Sequence, residues 1–179
     1  KGDGLINMLS PFPVQDVELP EHLKAADLHS IIELSPMAEY ITGLISEHIK
    51  SNTGATLFVD YGYNEYRTGE TLQAIEKHKY ASIFERPGHA DLSSHVNFCK
   101  IIDIAKTRGL KTHGPAMQGK FLNEMGIAER VRILNKSATP EQKKDILSAL
   151  NRLIAPDEMG TLFKVLAMTS DHGLEVTGF

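Results

Sequence analysis

Three residues that could bind a polar ligand directly follow a strongly apolar segment of the sequence. Leu57-Phe58-Val59 leads at once into Asp60, Tyr61 and Gly62, which supply a carboxylate, a phenol and a small residue. The apolar run does not alternate with polar residues, which predicts a strand of a mostly parallel sheet with both faces covered. Ligands of such sheets bind beyond the carboxyl ends of the strands. The three residues are therefore candidates for a binding site, and an ordinary strand-to-loop turn is the alternative.

Other patterns of reactive residues are weak. The chain has eight histidines but no pair spaced as a helical metal site, and it has one cysteine, so we expect no metal centre. No G-x-S-x-G sequence occurs, which argues against a serine hydrolase. His95 follows Asp91 in a polar segment, and it is either a hydrogen-bonded structural histidine or a base. Cys99 is expected to be a small core residue, and no internal disulfide can form.

The composition excludes several classes of protein. With 179 residues and 41% apolar content, the chain is long enough for one domain or part of one. Lys and Arg number 19 against 23 Asp and Glu, and no basic block is present, which argues against a nucleic-acid-binding surface. No apolar run approaches the roughly 18 residues of a membrane span. The mixed sequence that follows Lys1 does not resemble a signal peptide.

The pattern predicts an α/β fold with only three strands, at 55–60, 110–117 and 161–168. A strand as apolar as 55–60 needs a neighbour on each edge, so this sheet looks incomplete. No glycine-rich turn joins a strand to a helix, and a nucleotide cradle is therefore missing from the sequence. We expect the residues that bind a nucleotide or nucleoside cofactor to lie in sequence outside this chain.

Three helix starts are well marked. Ser35-Pro36 begins a helix that should end near Gly54, and Asn97 should cap a second helix. Thr139-Pro140-Glu141-Gln142 has the Thr-x-x-Gln pattern of a capping box. The helices predicted in this way would pack on the faces of the sheet.

Many segments, taken in order, resemble the carboxyl-terminal half of the MidA-like methyltransferase family, which includes a mitochondrial complex I assembly factor that methylates an arginine. They are Glu33-Leu34-Ser35-Pro36, Leu57-Phe58-Val59-Asp60-Tyr61-Gly62, Gly69-Glu70-Thr71-Leu72-Gln73-Ala74, His78, Pro87-Gly88-His89-Ala90-Asp91-Leu92, His95-Val96-Asn97-Phe98, His113-Gly114-Pro115, Gln118-Gly119, Phe121-Leu122, Met125-Gly126-Ile127 and Met159-Gly160-Thr161-Leu162-Phe163-Lys164-Val165-Leu166. The family has Asp where this chain has Asn97. A carboxylate role at that position is therefore not carried over.

The resemblance implies a fold class: the carboxyl-terminal part of a class I, Rossmann-like S-adenosylmethionine methyltransferase, with a mostly parallel sheet, an antiparallel last strand and inserted helices. In it, 55–60 is the fifth strand, 110–117 the sixth, and 161–168 an antiparallel seventh between them. Residues 1–179 would be the carboxyl-terminal portion of a single methyltransferase domain. Residues 1–18 form an irregular lead-in, 19–168 the family-like region and 169–179 a tail.

The implied reaction is methyl transfer from S-adenosylmethionine to an arginine guanidinium of a respiratory complex I subunit or its bacterial counterpart. The family's glycine-rich loop and Asn-Glu motif have no counterpart in this chain, so catalytic and cofactor-binding residues stay unassigned. Because a guanidinium is always protonated, carboxylates and planar groups are suited to hold it. The candidates for lining the substrate pocket are Asp60, Tyr61, Gly62, Glu70, His95 and Gln118.

The resemblance also implies a class of substrate, an oligomeric state and a cellular location. It implies a protein substrate, with a homodimer as one option. The expected location is the mitochondrial matrix in a eukaryote or the cytoplasm in a bacterium. The alternative function is a non-catalytic binding or assembly module that retains only the second half of the methyltransferase fold.

Overall fold

A computed structural model describes residues 5–13, 19–170 and 174–179. In chain order its elements are α1 (Glu21–Lys24), α2 (Pro36–Asn52), β1 (Ala55–Tyr63), β2 (Gln73–Glu76), β3 (Lys79–Ala81), β4 (Asp91–Ser93), β5 (Val96–Asn97), α3 (Phe98–Thr107), β6 (Lys111–Met117), α4 (Gln118–Glu124), α5 (Ile127–Leu134), α6 (Pro140–Ile154), α7 (Met159–Leu162) and β7 (Phe163–Thr169). They form two compact units. The smaller unit comprises residues 1–34 and 66–95, and the larger comprises 35–65 and 96–179.

The larger unit contains a four-stranded sheet in the order β5-β1-β7-β6. Strand β7 runs antiparallel to both β1 and β6, and β5 pairs with β1 in parallel. Three strands therefore share one direction and the last strand opposes them. This arrangement confirms the predicted fold class and the predicted place of the last strand between the other two.

Helices α2 and α3 pack on one face of this sheet and bury its core. Phe58 of β1 lies opposite Leu166 of β7 and packs against the same cluster. The fully or nearly buried members of the cluster are Ile49, Phe98, Ile101, Ala105, Leu110, Leu166 and Met168. Asn97 caps α3, as predicted, because its side chain accepts a hydrogen bond from the Lys100 amide. The packed helices thereby fix the carboxyl ends of β1 and β5.

The prediction that both faces of β1 are covered is wrong for the described residues. Leu57 and Val59 project to the face opposite Phe58 and keep 51% and 48% of their surface exposed. On that face Phe179 packs against His113 of β6 and Phe121 of α4. The outer edge of β1 is also largely unpaired within the described chain, because β5 meets it only at residues 62–63.

The described residues contain seven strands where three were predicted, and each of the three predicted strands has at least one shifted boundary. Strand β1 continues to Tyr63, because Gly62 and Tyr63 find backbone partners on β5. The segment predicted as a strand from 161 begins instead with the helical turn α7, and the strand starts at Phe163.

The smaller unit is built around a three-stranded antiparallel sheet in the order β3-β2-β4. Ala74 of β2 is buried at its centre. The short helix α1 is tied to the loop before β2, since the His22 ring nitrogen Nε2 lies 2.9 Å from the Tyr66 carbonyl oxygen. No helix among the described residues has both the length and the apolar character needed to cross a membrane.

Candidate functional site

The carboxyl end of β1 places Asp60 in a row of side chains across the sheet. Asp60 lies directly opposite Lys164 of β7, and Lys164 lies opposite Met117, the last residue of β6. Residues that face each other in antiparallel pairs project to the same side of a sheet. Asp60 is half-buried, and its Oδ1 accepts a hydrogen bond of 2.8 Å from the Tyr61 amide. The candidate carboxylate therefore stands beside a lysine at the strand ends.

Lys164 is the buried cation of this row, with 9% of its surface exposed. Its Nζ donates to the carbonyl oxygens of Thr161 at 2.5 Å and Leu162 at 3.3 Å. Burying an ammonium group is costly unless acceptors surround it. The two carbonyl groups belong to the last residues of α7, so Lys164 joins this helical turn to the start of β7.

Tyr61 and Gly62 are both held by packing. The Tyr61 ring meets the Phe163 ring edge-on, with 5.5 Å between centroids and 83° between planes. Gly62 is buried, and a Cβ atom there would lie 2.3 Å from the Val96 carbonyl oxygen and 2.8 Å from Cε2 of Phe98. The structure thus explains a glycine at position 62 by close approach of the chain, without a ligand.

Gln118 lies at the start of α4, immediately after β6, and is 5% exposed. Its Nε2 donates a hydrogen bond of 2.8 Å to the Leu153 carbonyl oxygen near the end of α6. This contact joins two helices of the larger unit. A role of Gln118 in a substrate pocket stays a prediction.

Glu70 and His95 belong to the smaller unit, where they lie beside a hydrogen-bonded residue, Thr71. Glu70 is exposed and His95 is half-buried. The His95 amide donates to Thr71 Oγ1 at 2.9 Å. The Thr71 hydroxyl in turn donates to Glu33, so one carboxylate organises this neighbourhood. The pocket roles of Glu70 and His95 also stay predictions.

Glu33 is the residue of this region that sequence reasoning did not single out as a site residue. It occurs in the Glu-Leu-Ser-Pro segment, but its partner Thr71 is 38 positions away. Spacing along the chain carries no signal for a contact of that kind. Only the folded smaller unit shows it.

Cys99 has the environment of an unreactive thiol. Burial raises the pKa of Cys99, and the carboxylates of Asp103 and Glu65 act in the same direction. Because the thiolate is the nucleophilic form, this environment disfavours covalent catalysis. In the parts of the chain that the structure describes, no group of three His, Cys, Asp or Glu side chains is arranged to hold a metal ion.

The profile of a protein family described as "Putative S-adenosyl-L-methionine-dependent methyltransferase" matches residues 7–116, more than half of the chain. This chain belongs to that family. The methyltransferase family membership confirms the resemblance that the sequence motifs indicated.

Individual relatives agree with this assignment. The chain is 38% identical over 143 residues to the Drosophila melanogaster protein named protein arginine methyltransferase NDUFAF7 homolog, mitochondrial, with 79% of this chain and 32% of that protein covered. Other NDUFAF7 proteins match similarly, and this chain spans about a third of the length of these relatives.

Two solved structures from Burkholderia thailandensis share the fold. One, described as uncharacterized, superposes with a TM-score of 0.71 at 26% identity and covers 81% of this chain and 39% of its own. The other is described as a "likely methyl transferase" bound to S-adenosyl-homocysteine. It superposes with a TM-score of 0.67 at 28% identity and covers 74% of this chain and 35% of its own.

Gly62, Gly119 and the start of α3 do not offer S-adenosylmethionine a binding surface. A nucleoside cofactor needs glycines that let the backbone approach it closely and free amides at a helix start. At Gly62 the space is filled by Val96 and Phe98, and at Gly119 a Cβ atom would lie 2.6 Å from the Ile154 carbonyl oxygen. At the start of α3 the Asn97 side chain already binds an amide. We therefore assign no cofactor contact to these residues.

Proposed function

We propose that this chain is the carboxyl-terminal portion of the single domain of a protein arginine methyltransferase that uses S-adenosylmethionine. The observation that carries the proposal is the 38% identity to a relative named as a protein arginine methyltransferase. The family match and the neighbour bound to S-adenosyl-homocysteine support the cofactor. The resemblance of the motifs supports a complex I subunit, or its bacterial counterpart, as the substrate.

In this proposal the strand ends of the larger unit contribute to holding the substrate guanidinium. Asp60 offers a carboxylate whose Oδ1 is oriented by the Tyr61 amide. Tyr61 offers an aromatic ring that is fixed edge-on by Phe163. Successive residues of a strand project to opposite faces of the sheet, so one guanidinium would contact either the Asp60 carboxylate, through charge-assisted hydrogen bonds, or the face of the Tyr61 ring. The residue on the side of the sheet that faces the substrate would bind and orient the guanidinium, and such orientation lowers the barrier to transfer.

The substitution Asp60→Asn tests this role in the full-length protein. Asn removes the charge but keeps the shape and can still accept the Tyr61 amide through Oδ1. Loss of a charge-assisted hydrogen bond that acts in the transition state costs roughly 1.5–3 kcal/mol, or about a tenfold to hundredfold lower rate. The matched control is Asp145→Asn, which removes an exposed carboxylate of α6.

The measurement is transfer of labelled methyl from S-adenosylmethionine to a protein substrate, with thermal unfolding of each variant. A selective loss of rate in Asp60→Asn at unchanged melting temperature supports the pocket role. Equal rates for wild type and both variants would reject the pocket role of Asp60.

A binding or assembly module without catalysis is the second candidate, because no glycine-rich turn joins a strand to a helix in this sequence. Calorimetric titration of S-adenosylmethionine separates the two functions. We expect measurable binding by the full-length protein and none by these 179 residues alone. Lack of binding by the full-length protein would favour the module, whereas micromolar binding by the 179 residues would overturn our assignment of the cofactor contacts.

The names of the relatives support a proposal for the location of this protein. The names of the NDUFAF7 relatives describe mitochondrial proteins, which supports the mitochondrial matrix for a eukaryotic source. A bacterial source would place it in the cytoplasm. A protein substrate is part of the proposal, and a homodimer stays a prediction.

A further inference from the structure

The two outer edges of the four-stranded sheet differ in how well they resist pairing with another strand. The edge at β6 carries Lys111 and Pro115, and its pairing with β7 shifts register between His113 and Ala116. Lysine, proline and irregular pairing are common means of keeping a further strand off an edge. Residues 55–61 of β1 contain no lysine, proline or glycine, and within the described chain their outer edge pairs with no strand. The β1 edge is therefore suited to accept a strand, and the β6 edge is not.

Helix α2 has an apolar strip on its exposed surface. Met37, Tyr40, Ile41 and Leu44 keep between 47% and 66% of their surface exposed. Residues three and four positions apart lie on one face of a helix, so these four side chains are neighbours. We call them the α2 stripe. Because the solvent face of a helix is normally polar, an uncovered apolar stripe indicates a contact surface.

The α2 stripe lies on the side of α2 that is turned away from α3. The Glu39 carboxylate is 3.7 Å from Lys100 Nζ, and the Gly43 carbonyl oxygen accepts a hydrogen bond of 2.9 Å from Arg108, so this part of α2 faces α3. Ile49 faces the core. With 3.6 residues per turn, the centre of the stripe is roughly 130° around the helix from each of these two directions.

The α2 stripe and the unpaired edge of β1 lie on the same side of the larger unit. Helix α2 leads into β1 and α3 leads into β6, and β1 and β6 lie on opposite sides of β7. The side of α2 away from α3 is therefore the side of the β1 outer edge. On the opposite face of the sheet, Leu57 and Val59 border the same edge and are about half exposed. We call the edge of residues 55–61 together with the α2 stripe the β1–α2 surface.

We propose that the β1–α2 surface is an interface that receives a strand and an amphipathic helix from the part of the methyltransferase domain outside these residues. A strand supplies partners to the free backbone groups of the edge, and an apolar helix face covers the stripe. This chain covers 32% of the Drosophila melanogaster relative, so about two thirds of such a protein can supply both elements. The inference rests on the proposed function, since it takes the partner from the same methyltransferase domain.

Hydrogen exchange of the full-length protein tests the edge directly. The amides of an edge strand alternate between its paired and its open side, so about half of the amides of 55–61 point away from β7. If a strand pairs with them, they should exchange at least about a hundredfold more slowly than the amides of 111–117 that point away from β7. The two edges belong to one sheet, so β6 is the internal control.

Substitution of Leu44 tests the stripe. Leu44 of α2 and Leu147 of α6 are matched, with 53% and 54% of their surface exposed. If a helix covers the stripe in the full-length protein, Leu44→Gln removes apolar contact and should lower the melting temperature by at least about 2 °C. Leu147→Gln should change it by less than about 1 °C. Glutamine and leucine have similar helix propensities, so the two variants differ mainly in the contact they test.

Fast exchange at both edges, or equal melting temperatures of the two variants, would overturn the inference. Protection of 55–61 that increases with protein concentration would also overturn it, because the partner would then be a second copy of the chain. The exchange measurement needs no substitution, so it decides even if Leu44→Gln does not fold.

Calorimetric titration of S-adenosylmethionine into the same full-length protein separates the interface from the proposed function. Protected amides at 55–61 without cofactor binding would reject the enzyme and support the interface. Cofactor binding with unprotected amides would reject the interface and leave the enzyme.

Discussion

Replacement of Gly62 by alanine should destabilise the larger unit through a steric conflict at one backbone atom. The added Cβ would lie 2.3 Å from the Val96 carbonyl oxygen and 2.8 Å from Cε2 of Phe98. The Phe98 ring belongs to the buried core, and Val96 is paired with Gly62 in the parallel ladder. Neither neighbour can move without disturbing β5 or the start of α3.

The expected size follows from these contacts. Overpacking of a well-packed core costs about 1–3 kcal/mol. For a protein of this length, each kcal/mol lowers the melting temperature by about 2–4 °C. Gly62→Ala should therefore melt roughly 2–12 °C below wild type.

Gly54→Ala is the matched control, because no atom lies within 4 Å of a Cβ built at Gly54. It should melt at or slightly above the wild-type temperature, since alanine restricts the unfolded chain. The assay is thermal unfolding followed by circular dichroism, with hydrogen exchange at residues 62–63 and 96–97. Equal melting temperatures and unchanged exchange in the two variants would refute the steric argument.

Two further changes test stability. Burial lowers the pKa of His113 below its ordinary value of 6.5, and Lys111 adds to the effect. The unfolded chain therefore binds a proton more readily, so the free energy of unfolding should fall as the pH drops below about 6.5. His113→Gln should reduce this pH dependence in denaturant titrations, and an unchanged pH dependence would contradict the reasoning. Thr139→Ala removes the capping box of α6 and should cost about 0.5–2 kcal/mol in the same titrations, and an unchanged midpoint would contradict it.

Elements whose signal is local could be predicted from the sequence. Asn97 accepts an amide of its own helix, and Thr139 and Gln142 exchange hydrogen bonds within one turn. Such contacts depend on residues three positions apart, which a sequence displays directly. The order of the strands came from the resemblance of the motifs, because pairing between β1 and β7 joins residues more than a hundred positions apart.

Contacts that depend on tertiary neighbours could not be predicted. Strand β1 extends through Gly62 and Tyr63 only because β5 supplies partners. The exposure of Leu57 depends on what covers the second face of the sheet, and an apolar run does not show whether a cover is present in the same chain. The hydrogen bonds between Glu33 and Thr71 were missed for the same reason, since the two residues are distant in sequence.

The unpaired outer edge of β1 affects both the solubility of the chain and its pairing with other polypeptides. Residues 55–61 contain no proline or glycine and one charge, Asp60, and within the described chain their outer backbone edge pairs with no strand. Leu57 and Val59 add an exposed apolar surface beside that edge. Edges of this composition are templates for intermolecular strand addition and for cross-β stacking. Any polypeptide that completes the sheet at β1 would therefore also protect the chain from fibril formation, so the same contact would serve both architecture and colloidal stability.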